Sequence, residues 1–203
     1  MTHQETPSRT RLLRSARTLF AENGYESTST ASIARMAGTS ESQLIKHFGG
    51  KAGLLDAIFV DGWNSLTAYM QQRLDSNTSP KERLRAIPRL MFETLEKDPE
   101  LRQLLLLEGR RIRKEGRLVT LTDGFIGFVK LVDNTLDEMR NAGQLRTDLS
   151  PQAIRSALIG LTEGALRDQL LAERAGKDSG FTPAHIGALV DALLASVAVS
   201  VAT

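Results

Sequence analysis

No cysteine occurs among the 203 residues, which excludes a disulfide framework, a thiolate metal site and a cysteine nucleophile. That absence fits a reducing compartment, and cytoplasmic placement is expected. Aromatic residues make up 5% of the chain, with a single Trp, so any core must be built mostly from aliphatic side chains. The three histidines, His3, His47 and His185, are far apart in sequence, and none has a plausible triad context. From about residue 76 onward there is no Gly-rich phosphate loop, no His-Glu-x-x-His pair and no cluster of metal ligands. Neither an enzyme nor a cofactor is expected. Basic and acidic residues nearly cancel (26 against 24, net charge +2), so affinity for nucleic acid would have to come from a local patch. The longest apolar stretch, 186–202, contains Asp191 and two serines and is short for a bilayer span; it reads as a buried helix. The polar start, Met1–Ser8, does not resemble a secretory signal.

Proline is scarce but placed with a pattern. Thr6-Pro7, Ser79-Pro80, Asp98-Pro99, Ser150-Pro151 and Thr182-Pro183 each pair a capping residue with a proline at the first helical position. At Ser79 a capping box with Glu82 is expected. The sixth proline, Pro88, falls inside a helical stretch, where it removes one hydrogen bond and should kink the helix. No alternating strand pattern is visible, so the fold class is all-α, with about nine helices. Helices are expected over 7–23, 51–74, 80–97, 99–115 (stopped by Gly116), 118–141 (softened by Gly124 and Gly127), 151–175 and 183–202, with two shorter ones inside 28–51. The polar stretch 75–79 is the best boundary. This gives a first segment over 1–50, a connecting helix over 51–75 and a larger helical domain over 76–203.

Residues 28–51 carry the main signal. Ile33, Ala34 and Ala37 share a helical face, and Gly38 supplies a left-handed stop. Ser40 is placed to cap a second helix, and Gln43 can close a capping box. Leu44 and Phe48 give that helix an apolar stripe, with Ile45 at its edge. Two short helices about a three- to four-residue turn form a helix-turn-helix, whose second helix is suited to a DNA major groove.

Short hydroxyl residues at helix starts (Ser29, Thr30, Ser40) can donate to phosphate oxygens, or serve as caps alone. His47 can donate from the end of the second helix. Lys51 stands at the start of the next helix, where its ammonium and the free amides both favour a phosphate. Base readers should lie on the exposed first turns of the second helix: Glu41, Ser42 and Gln43, with Lys46 one turn later. Gln pairs with adenine and Glu accepts from cytosine N4. The capping box competes for Gln43, and Lys46 can bind a phosphate instead. Arg9, Arg11 and Arg14 can reach the flanking backbone or form a solvated face.

The order and spacing of Phe20-Ala21-Glu22-Asn23-Gly24-Tyr25, Thr28-Ser29, Ile33-Ala34, Ala37-Gly38-Thr39-Ser40, Leu44, His47-Phe48, Lys51 and Leu54-Leu55 resemble the TetR family of bacterial transcriptional regulators. The resemblance implies phosphate contacts at Thr30, Ser40, His47 and Lys51. Two positions depart from the pattern. Ile45 stands where the family usually has a Tyr that binds a phosphate, and Ala31 where some members carry a longer polar residue. Both departures predict fewer contacts per half-site.

The helix over 151–175 carries small residues at Ala153, Ala157, Gly160, Gly164 and Ala165, and the last helix is rich in Ala, Val and Leu on nearly every face. Either one chain buries these helices or two copies pack them as a four-helix bundle. The resemblance implies the second arrangement, a homodimer that reads two halves of a near-palindromic DNA operator. It also implies a small-molecule pocket among the middle helices. Trp63, Phe92, Phe125 and Phe128 are the large aromatics there, and residues of this kind are more often plain core than pocket lining. Glu108, Arg111 and Glu163 would orient a ligand if buried. The expected function is a ligand-responsive repressor, released from DNA by a small molecule and without a membrane partner. The alternative is a helical protein-interaction domain whose N-terminal motif no longer reads DNA.

Overall fold

The computed structural model describes residues 7–74, 78–108 and 122–199, with side chains not described at 106–108. Among the described residues there are nine helices: α1 (Ser8–Asn23), α2 (Thr30–Met36), α3 (Glu41–Phe48), α4 (Lys51–Arg73), α5 (Pro80–Glu96), α6 (Pro99–Glu108), α7 (Asp123–Asn141), α8 (Pro151–Arg174) and α9 (Pro183–Val197). No named strand accompanies them among those residues, as the all-α reading requires.

Most of the proline starts fold as the cap chemistry dictates. Ser79 Oγ accepts from the Glu82 N–H (3.2 Å), Asp98 Oδ1 from Leu101 N–H (3.1 Å) and Ser150 Oγ from Ala153 N–H (3.0 Å), each ahead of a proline at the first helical position. At Thr182 the N–H donates to His185 Nδ1 (3.4 Å), which gives that histidine a capping role. Pro7 differs: it is itself the N-cap residue, with ψ 142°, so α1 begins one residue later than expected. α5 runs unbroken through Pro88. The Gly116 stop lies outside the described residues.

The last helix also differs from expectation. α9 ends at Val197, and Ala198 is extended (ψ 148°) and forms an isolated antiparallel bridge to Leu145. Arg146 N–H donates to Val197 O (3.0 Å) and Val199 N–H to Gln144 O (2.9 Å), so backbone pairing replaces the last expected helical turn. Beside it the Arg146 guanidinium hydrogen-bonds Asp148 and holds that carboxyl below its ordinary range.

The chain divides into two compact units. The first holds the described residues of Met1–Trp63 and Asp98–Phe125, and the second those of Asn64–Lys97 and Ile126–Thr203. This division falls inside α4, not at the polar stretch 75–79, and it places α6 with the N-terminal helices. Specific polar contacts account for that: Thr18 donates to Glu100 (3.0 Å), Gln103 Nε2 to Ala21 O (2.7 Å), and Arg17 pairs with Asp98 and Glu100. None of these partners is visible from sequence spacing. In the second unit α5, α8 and α9 pack on one another. Its buried residues include Leu84, Met91, Phe128, Leu136, Leu158, Val190 and Leu194.

Candidate nucleic-acid interface

The helix-turn-helix is built as the residues suggest. Gly38 adopts φ +59°, Gly38 N–H donates to Arg35 O (3.1 Å) and Thr39 N–H to Ala34 O (3.0 Å). That pair of bonds is the Schellman closure of α2, which only a left-handed residue at 38 permits. Ser40 then caps α3 by accepting from Gln43 N–H (3.3 Å). Leu44 is fully buried, and Ile33 and Ala34 of α2 face the same core with Leu12, Ala16 and Phe20 of α1. Inward positions are thus filled. The remaining face of α3 presents Glu41, Ser42, Ile45, Lys46 and His47, all exposed.

Several polar side chains anticipated as DNA contacts also have partners within the unit. Ser29 caps α2 by accepting from Ser32 N–H (3.0 Å). The Thr30 hydroxyl donates to Glu41 Oε2 (2.7 Å), which ties the start of α2 to the start of α3. Ser40 and Ser42 share a hydrogen bond (2.8 Å), and His47 Nε2 is hydrogen-bonded to Ser8 Oγ (3.0 Å). These residues remain at the surface, where a phosphate or a base can replace or extend the bond.

Lys51 is different. Its ammonium donates to Tyr25 O (2.9 Å), Thr28 O (3.0 Å) and Glu26 O (3.4 Å), and it lies 4.3 Å from the centroid of the Tyr25 ring. A lysine has three N–H donors, and three carbonyls take them. The α1–α2 turn thus engages this cation within the unit. Arg11 is likewise turned inward: Nε donates to Ala37 O (2.9 Å) and the guanidinium also reaches Gly38 O (3.4 Å), closing the carbonyl end of α2. Arg9 lies 5.3 Å from the Phe48 ring centroid, and Arg14 is exposed. From the sequence alone Arg11 is a candidate backbone contact for DNA or a solvated charge. Its role as a clasp on the turn depends on a partner 26 residues away.

The described residues anticipated for a ligand have the following surroundings within their own units. Trp63 and Phe125 pack edge to face on each other, with ring centroids 5.1 Å apart, in the first unit. In the second unit Phe128 lines a cavity between α5, α7 and α8 with Leu84, Ile87, Pro88, Met91, Val132, Leu158, Ile159 and Thr162. Phe92 instead lines an open groove of about 730 Å³ between α5 and α9, rimmed by the Arg85–Asp191 ion pair. The α5–α7–α8 cavity is apolar except for Thr162, whose hydroxyl already donates to Leu158 O (2.8 Å). Its free volume is about 10 Å³, room for about one water. Glu163 is half-buried on α8. Arg111 and the Glu108 side chain lie outside the described residues. Among the described residues no group of acidic residues and histidines is arranged to hold a metal, and no helix is long and apolar enough to cross a membrane.

Comparison with known proteins agrees with the geometry. Residues 12–58 match the family model described as bacterial regulatory proteins, tetR family, and residues 59–175 match the model for the C-terminal region of YsiA-like proteins. The fatty acid metabolism regulator protein of Bacillus subtilis is 24% identical over 157 residues, covering 77% of this chain and 80% of that protein. Among solved structures, the fatty acid degradation regulator FadR of Bacillus halodurans superposes with a TM-score of 0.78 at 21% identity, covering 94% of this chain and 96% of the other. FadR of Bacillus subtilis, solved in complex with stearoyl-CoA, gives 0.76 at 20% identity, with 92% and 95% covered.

Proposed function

The chain belongs to the TetR family of bacterial regulatory proteins, and on that footing we propose that it is a repressor that grips a near-palindromic operator as a homodimer and lets go when an amphipathic small molecule binds. The observation that carries the DNA side is the capped, Schellman-closed helix-turn-helix, with one face of α3 left free of the core. It works in the cytoplasm, where its DNA is, and carries no catalysis of its own.

In this reading α8 and α9 supply the dimer surface. On α9 only Ile186, Val190, Leu194 and Val197 are buried, while Leu189 is 54% exposed beside exposed Ala188 and Ala192. The expectation that α9 would be buried on most sides is therefore not met within one chain. On α8 the exposed Ala153, Ala157 and Gly160 run in one stripe with Leu171, which is 57% exposed. A second copy would cover both faces and bury these leucines. Leu171→Glu with Leu189→Glu should give a folded monomer by analytical ultracentrifugation, with operator binding reduced at least a hundredfold because two half-sites are no longer read together. A variant that stayed dimeric would place the interface elsewhere.

For the effector, the α5–α7–α8 cavity is apolar and has room for about one water. Any ligand that enters must part its walls, so binding is inseparable from a change of shape. Pro88 makes the opening cheaper: it has no N–H for the Leu84 carbonyl, and both residues line the cavity. Because α4 is shared by both units, a change in the second can reach the helix that follows α3. An apolar cavity suits an acyl chain, and the stearoyl-CoA bound to FadR of Bacillus subtilis is the model. The test takes the operator selected from a random duplex pool by the purified protein and titrates the complex with stearoyl-CoA, with free coenzyme A as control. Release by the acyl thioester alone is the expected outcome. Unchanged operator affinity at saturating thioester would overturn this choice of effector.

A further inference from the structure

Ile45 is 58% exposed on α3, although the same helix has buried positions for apolar residues and fills them with Leu44. A β-branched side chain at an exposed helical position is a poorer choice than Ala, Lys or Glu, by about half a kcal/mol, and most of this one is left uncovered by the fold. Its surroundings are polar: Glu41 and Ser42 lie one turn back on the same surface, and Lys46 follows. An aliphatic side chain cannot hydrogen-bond a phosphate or a base edge. In a major groove it has one complementary group, the C5-methyl of thymine, which projects into the groove and is otherwise covered by water.

We propose that Ile45 is a specificity-determining residue that reads the C5-methyl of one thymine in each operator half-site. The inference rests on the DNA-binding reading and deepens it. Glu41, held through one oxygen by Thr30, stays in position to flank that contact. Loss of the tyrosine expected at 45 is then a change in the kind of contact made there, from backbone positioning to base readout.

The experiment uses the full-length protein and the duplex it selects from a random pool. Each thymine of the selected site is replaced in turn by deoxyuridine, which removes the methyl and nothing else. One position per half-site should weaken binding about fourfold, and both together about 14-fold, the worth of one buried methyl per half-site. With Ile45→Ala, which replaces an exposed residue by a better helix former, that sensitivity should vanish while sensitivity elsewhere remains. Equal deoxyuridine effects in wild type and variant, or a selected site with no sensitive thymine, would overturn the assignment. So would a selected cytosine at the contacted position whose C5-methylation tightened binding, since the methyl would then come from 5-methylcytosine. Failure to select any sequence would instead remove the DNA-binding reading itself, so the two failures are separable.

Discussion

Gly53→Ala should cost the protein its operator. A Cβ at position 53 would stand 1.9 Å from the Phe48 carbonyl oxygen and 3.1 Å from its carbon. Both are backbone atoms at the end of α3, so no side chain can swing aside, and the corner between α3 and α4 must move. Overpacking costs about 1–3 kcal/mol, and a backbone obstacle belongs at the upper end. The effect on DNA is larger than the effect on stability, because moving α3 displaces every base reader at once. Losing one base contact per half-site, at about 1–3 kcal/mol each, lowers affinity about 30-fold at the least. Gly127→Ala is the control: nothing lies within 4 Å of a Cβ there, and it should raise stability by roughly 0.5–1 kcal/mol with binding intact. Thermal unfolding and fluorescence anisotropy on the selected operator read both. Wild-type affinity in Gly53→Ala would show that the corner has slack.

Lys51→Met should weaken operator binding without changing how steeply it depends on salt. The ammonium bonds three carbonyls of the α1–α2 turn and covers the Tyr25 ring. Its removal takes away a charge-assisted set worth about 1.5–3 kcal/mol and a cation–π contact worth about 0.5–1 kcal/mol. The turn between α1 and α2 loosens, and with it the angle at which α2 supports α3. A phosphate contact would behave otherwise. Each one lost per subunit reduces the slope of log K against log salt by about 0.9, or about 1.8 for a dimer. Lys51→Arg sharpens the distinction. A planar guanidinium serves a phosphate as well as an ammonium does, but its fixed fork does not match three carbonyls converging on one point. If Lys51→Arg binds like wild type and Lys51→Met flattens the salt slope, the lysine faces DNA after all.

The features legible in the sequence were those whose chemistry is local. Ser79, Asp98 and Ser150 cap the helices they precede, because a cap and its N–H are three residues apart. Gly38 ends α2 because its conformation is decided by its own lack of a Cβ. What could not be read was the choice of partner across the fold. Lys51 and Arg11 both carry charge near the reading head, and spacing alone cannot say that one folds back on residues 25–28 and the other on 37–38. Likewise, within the second unit, Phe92 and Phe128 share a character but line different cavities. Helical phase shows that an aromatic faces inward but not which neighbour it meets. The end of α9 was missed for a related reason: its apolar composition continues past Val197, and only the pairing of 144–146 with 197–199 stops it.

The narrow cavity between α5, α7 and α8 also bears on how fast such a regulator can respond. On the effector reading proposed above, a space that holds one water offers the ligand no place to wait, so its entry would depend on how often the three helices separate by themselves. Raising the effector concentration speeds the response only until every opening is caught. Beyond that point the dissociation of repressor from DNA proceeds at a fixed pace, set by the molecule's own microsecond-to-second motions. On that reading the packing around Phe128 would act as a clock as well as a lock, and a smaller side chain there should shorten the delay before the gene is read.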